Sequence, residues 1–146
     1  MNFNELMVRD RIDRIMEWGK HLDDLAALPD DDFMKPRNLA AAESFLRRSL
    51  EAIFDVGRHL LARIGRIDLA QEYKAIARGL AQERIVRDDV GVTLVRMAGY
   101  RNRLVHFYHE VTTEELHDIV VNHRQDLLAC ARQILEYISR NPSLDG

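Results

Sequence analysis

Apolar residues return at steps of three and four along most of the chain, and nowhere do they alternate in twos over a useful length. The first period lays side chains along one stripe of an α-helix, whereas a half-buried strand needs the second. Val8, Ile12, Ile15, Gly19, Leu22 and Ala26 mark a helix over about residues 4–27. Ala42, Phe45, Leu46, Ser49, Ile53, Val56, Leu60 and Ile64 mark another, which follows Pro36 and runs to about residue 64. Leu116, Val120, His123, Leu127, Cys130, Ile134 and Ile138 mark the last, which stops before Asn141 and Pro142. Only three Pro and seven Gly interrupt these stripes.

Local signals place the ends. Asn2 and Glu5 have the form of a capping box, and Thr112 with Glu115 makes a better one. Pro29 disfavours helix in the residue before it, so the first helix ends there. Asp30, Asp31 and Asp32 read as a solvated loop, with fewer oxygen ligands than a metal site needs. Gly65 stops the second helix, and Asp68 is the expected N-cap of a shorter one over about residues 69–80. Its apolar side carries Tyr73, Ile76, Ala77 and Leu80, and a kink or loop is expected from Gly79 through Val86. Asp88 or Asp89 then caps a helix that carries Val92, Val95 and Met97 forward. The expected fold is all-α, an antiparallel up-and-down bundle of four long helices and one short one.

At 146 residues, 47% hydrophobic and 31% charged, the chain is expected to form a single domain over residues 1–146. Cys130 is the only cysteine and lies on an apolar stripe, so it reads as a core residue in a reducing compartment. No apolar run approaches the length of a membrane span, and the first residues lack the regions of a signal peptide. A cytoplasmic location is expected. A formal net charge of −3 argues against coating nucleic acid by bulk electrostatics. Of 21 basic residues only Lys20, Lys35 and Lys74 are lysine, leaving 18 arginines, the better residue for bidentate phosphate contacts.

One stretch gathers the chemistry. Tyr100 to Tyr108 packs a permanent cation, a carboxamide, an imidazole and a phenol together. Asn102 and His106 share a face of a continuing helix. Arg101 and His106 diverge by about 140° at 3.6 residues per turn. They meet at one phosphate only if the helix ends near Val105 or if two copies of the chain share the site. The residues alone leave a bland reading open: Arg101 an interface cation, His106 a partner of the helix dipole, Tyr108 an aromatic at the core edge.

Arg101-Asn102-Arg103-Leu104-Val105-His106-Phe107-Tyr108 resembles the R-N-x-x-V-H-x-Y signature of HepT-like proteins in the HEPN superfamily. The stretch from Ser49 to Leu60 is similar to that family's second helix, and Val95 to Tyr100 to its fourth. The resemblance implies a homodimeric helical bundle with the motif at a cleft between protomers. It also implies a metal-independent ribonuclease, the toxin of a toxin–antitoxin module, neutralised by a minimal nucleotidyltransferase (MntA-like) antitoxin that AMPylates Tyr108. No cofactor is called for.

The residue types suit RNA cleavage, because RNA carries its own nucleophile in the 2′-hydroxyl. Histidine is the residue type suited to moving protons near neutral pH, so His106 is the candidate acid or base. Arg101 can pair with the phosphate and stabilise developing charge. Asn102 can orient the imidazole or bind a phosphate oxygen. Glu51 and Asp55, on a polar stripe with His59, are candidates to orient Arg101, and Arg96 and Arg103 are candidates to extend a local basic patch. A non-catalytic helical module that binds a nucleotide or a partner is the alternative.

Overall fold

The computed structural model describes residues 3–106 and 111–141. Among them the regular structure is helical throughout: α1 (Phe3–Ala26), α2 (Asp30–Phe33), α3 (Pro36–Arg63), α4 (Tyr73–Gln82), α5 (Asp88–His106), α6 (Thr113–Asp118) and α7 (Arg124–Arg140). A 3-10 turn, Ile67–Leu69, precedes α4, and a π-helical turn, Ile119–His123, joins α6 to α7 in one continuous rod. Four long rods, α1, α3, α5 and α6–α7, therefore make the bundle, with α4 as the short helix. α1 lies against α3 and α7, and α4 is wedged between α3 and α5. None of these helices is long and apolar enough to cross a membrane.

The stripes point inward. Val8, Ile12, Ile15 and Leu22 of α1 are buried against Leu46, Ile53, Val56 and Leu60 of α3 and Leu127, Cys130 and Ile134 of α7. Burial pushes the Cys130 thiol up to about 12, so it stays protonated and inert. Among the described residues Ser49 is the one buried polar residue of the core; its hydroxyl donates to the Phe45 carbonyl at 2.8 Å, which satisfies it within α3.

Several details depart from the periodicity. The three aspartates form a helical turn, α2, because Pro29 precedes it and carboxylates suit the first turn. That turn delivers Phe33 into the core, edge-on to His117 with centroids 4.6 Å apart. Asp68 caps no helix: Arg66 grips both its oxygens at 3.2 Å, and α4 starts later, after Glu72. Gly79 lies inside α4, where a Cβ would stand 3.1 Å from Leu61 and Leu69, so it marks close packing and no kink. His123 is partly exposed at the end of the π turn, 3.6 Å from both Asp118 and Asp126. Asn2 lies outside the described residues.

A π turn leaves helix carbonyls without their usual donors. Arg124 supplies them: its Nη1 donates to the carbonyls of Val120 at 3.2 Å and Val121 at 2.8 Å. Its Nε donates to Asp23 of α1 at 2.7 Å, so one side chain repairs the rod and ties it to the bundle.

Two glycines let α4 sit close to its neighbours. A Cβ at Gly57 of α3 would fall 2.8 Å from Ile76, and one at Gly91 of α5 would fall 2.6 Å from the Cβ of Ala81. Helix propensity alone favours Gly91→Ala by about 1 kcal/mol. The contact with Ala81 reverses that sign, and Gly91→Val should lower stability by about 1–3 kcal/mol through overpacking. Adding Ala81→Gly should recover most of the loss; urea unfolding of the three variants checks this.

Candidate active site

α5 enters the bundle on Val90, Leu94, Met97 and Ala98, all buried, and its last two turns carry the polar residues. Arg101 turns towards α3 and α4. Its guanidinium carbon lies 4.2 Å from the centre of the Tyr73 ring, and its Nη2 lies 3.6 Å from Glu51 Oε1. The Tyr73 ring in turn packs on fully buried Phe54, centroids 5.0 Å apart, so a column of cation, ring and ring leads into the core. A cation over an aromatic face is held by the ring quadrupole, and guanidinium, being flat and weakly hydrated, suits that geometry best.

Glu51 ends a ladder along α3. Arg47 reaches Glu43 at 3.3 Å and Glu51 at 3.8 Å, both one turn away, and Glu51 is shared with Arg101. The shared carboxylate contacts Arg101 loosely. The Arg101 side chain is only 14% exposed, and its Nε is buried with no hydrogen-bond partner among the described residues. A buried donor left unmet costs about 1–3 kcal/mol. Asp55, one turn beyond Glu51, pairs with Arg58 at 3.7 Å.

Arg103 leaves the other side of α5, two residues being about 200° apart on a helix. Its two Nη atoms grip both oxygens of Glu115, one at 2.9 Å. Thr112 accepts from the Glu115 backbone N–H at 3.0 Å, which realises the N-cap. The Glu115 carboxylate, however, is spent on Arg103. Arg103 and Arg96 line a groove of about 400 Å³ between α5 and the α6–α7 rod. Arg101 is thus separated from the two other arginines expected to extend its patch. Tyr100 is buried between them with its hydroxyl unpartnered among the described residues. Burial first, then Glu115 and Glu43, push that phenol above its ordinary range, so it stays protonated.

Of the other expected site residues, Asn102 is half-buried next to Arg101, and α5 stays helical through His106. The His106 side chain and the whole of Tyr108 lie outside the described residues. Periodicity marks Tyr73 only as an apolar position on a short helix. It stands 28 residues before Arg101, and no spacing rule links a ring to a cation across two helices.

Residues 12–134 match the family described as Ribonuclease HepT-like. No protein of curated function matches the sequence. Among solved structures, the chain is similar to one in a toxin–antitoxin crystal structure with AMP-PNP, at a TM-score of 0.78 and 20% identity, covering 89% of this chain and 98% of that one. It is similar to the tri-AMPylated Shewanella oneidensis HEPN toxin in complex with MNT antitoxin, at 0.78 and 21%, covering 93% and 99%. It is also similar to YutE, a cytosolic protein of unknown function from Bacillus subtilis, at 0.74 and 21%, covering 100% and 97%. At these identities the likeness is one of fold.

The two arginines should behave differently in double-mutant cycles read by urea unfolding. The bidentate Arg103–Glu115 pair should couple by about 0.5–1 kcal/mol, and the looser Arg101–Glu51 pair by less than about 0.5 kcal/mol. Equal coupling would contradict the assignment of Arg103 to structure and of Arg101 to a site.

Proposed function

Because the chain belongs to the HepT-like ribonuclease family, we propose that it is an endoribonuclease toxin of a toxin–antitoxin module, cutting RNA through the RNA's own 2′-hydroxyl. The observation that carries this reading is Arg101: a permanent cation stacked on the Tyr73 ring and only loosely paired with Glu51. A cation held in place in this way, and not committed to a carboxylate, is the kind of group that stabilises developing charge most effectively.

In the proposed reaction one His106 imidazole takes the proton of the 2′-hydroxyl, and the freed oxygen attacks the adjacent phosphorus. Arg101 stabilises the charge that builds on the non-bridging oxygens, and Asn102 orients the imidazole or binds one of those oxygens. A protonated imidazole donates to the departing 5′-oxygen, leaving a 2′,3′-cyclic phosphate and a 5′-hydroxyl. Arg101 and His106 leave α5 about 140° apart, so the reading places the site in a homodimer cleft, where two imidazoles serve as base and acid. No step calls for a metal.

Control by AMPylation of Tyr108 belongs to the same proposal, with a minimal nucleotidyltransferase as the antitoxin. Its support is the fold shared with a tri-AMPylated HEPN toxin in complex with MNT antitoxin. Adenylate on Tyr108 would set a negative phosphodiester beside Arg101 and His106, filling the cation and repelling RNA, as a phosphate does.

Purified protein should cleave RNA in EDTA and leave cyclic phosphate ends. His106→Ala and Arg101→Ala should each reduce the rate at least about a hundredfold and remove toxicity on induction, with folding intact. Activity that disappears in EDTA overturns the mechanism, and equal behaviour of wild type and both variants identifies a non-catalytic module. After co-expression with a nucleotidyltransferase, intact mass should show added adenylate on the wild type and none on Tyr108→Phe.

A further inference from the structure

Resting on the nuclease reading, we propose that Tyr73 is a positioning residue for Arg101: its ring face holds the guanidinium at 4.2 Å and keeps it from collapsing onto Glu51. Arg101 has two neighbours of opposite consequence. Glu51 Oε1 stands 3.6 Å from Nη2, just beyond hydrogen-bond range. A closer bidentate pair would use up N–H groups that a phosphate needs. The ring attracts the same cation through its face and consumes none of its N–H groups. Tyr73 can do this because its ring is backed by the core. It is the first residue of α4 and packs on buried Phe54. Arg58 also reaches the ring, at 5.7 Å, but is exposed and paired with Asp55.

Misplacing a charge-stabilising group slows the chemical step more than it weakens binding of a long substrate. Tyr73→Leu should therefore lower kcat about 10- to 100-fold while KM for RNA stays within about threefold. Tyr73→Phe, which keeps the ring face, should return kcat to within about threefold of wild type. Arg58→Ala should stay within about twofold, since that exposed cation is not what the ring positions. A second readout needs no activity. The Arg101 Nε–H proton, assigned by its loss in Arg101→Lys, should lie upfield of the other arginines under the ring current and move back in Tyr73→Leu.

If wild-type protein cuts no RNA, the nuclease reading falls and the resonance still decides the stack. If Tyr73→Leu does not fold, the wild-type shift decides alone. The proposal is overturned by an unshifted Arg101 resonance, by a Tyr73→Leu kcat within about threefold of wild type, by a loss confined to KM, or by equal impairment of the Phe and Leu variants.

Discussion

The candidate site depends on an arginine buried enough to be rigid yet not fully hydrogen-bonded. Arg101 reaches that state because three helices converge on it: α5 carries it, α3 supplies Glu51, and α4 supplies Tyr73. The convergence needs α4 close to both neighbours, and Gly57 and Gly91 permit that by presenting no Cβ to Ile76 and Ala81. Stability and site geometry therefore share a cause. A change that pushes α4 outward disturbs the bundle and moves the ring on which the cation rests.

Helix geometry explains why neighbouring arginines have different tasks. Arg101 and Arg103 leave α5 on opposed flanks; the first faces a junction of helices, and the second clamps Glu115 at the start of the next rod. With a net charge of −3 overall, recognition of an anion has to be local. The alternating ladder Glu43–Arg47–Glu51 sharpens this, since Arg47 neutralises part of the carboxylate that Arg101 would otherwise capture whole.

Most of the bundle was legible because burial writes itself into period: the stripes through Ile12, Ile53 and Ile134 are the core. Thr112 was legible as an N-cap because its partner Glu115 sits three residues on. The misread places are those where a tertiary contact overrides a local signal. Asp30 to Asp32 look like a loop until Phe33 needs a helical turn to reach the core. Gly79 looks like a breaker until Leu61 and Leu69 are seen against it. The π turn has no sequence mark, because the Arg124 contacts that stabilise it form only in three dimensions. The motif around Arg101 was visible as a string of residue types, whereas the platform beneath it was not, since Tyr73 and Phe54 are joined to it only by packing.

On the proposed mechanism, Arg101 is the group that receives the scissile phosphate. A crystal structure of the protein with a 2′-O-methyl oligonucleotide, which binds but has no free 2′-hydroxyl to attack with, tests it most directly. A phosphate oxygen is expected within hydrogen-bonding distance of the Arg101 guanidinium, with the stack on Tyr73 kept. A backbone phosphate bound in the groove of Arg96 and Arg103, with Arg101 still facing only Glu51, would contradict it.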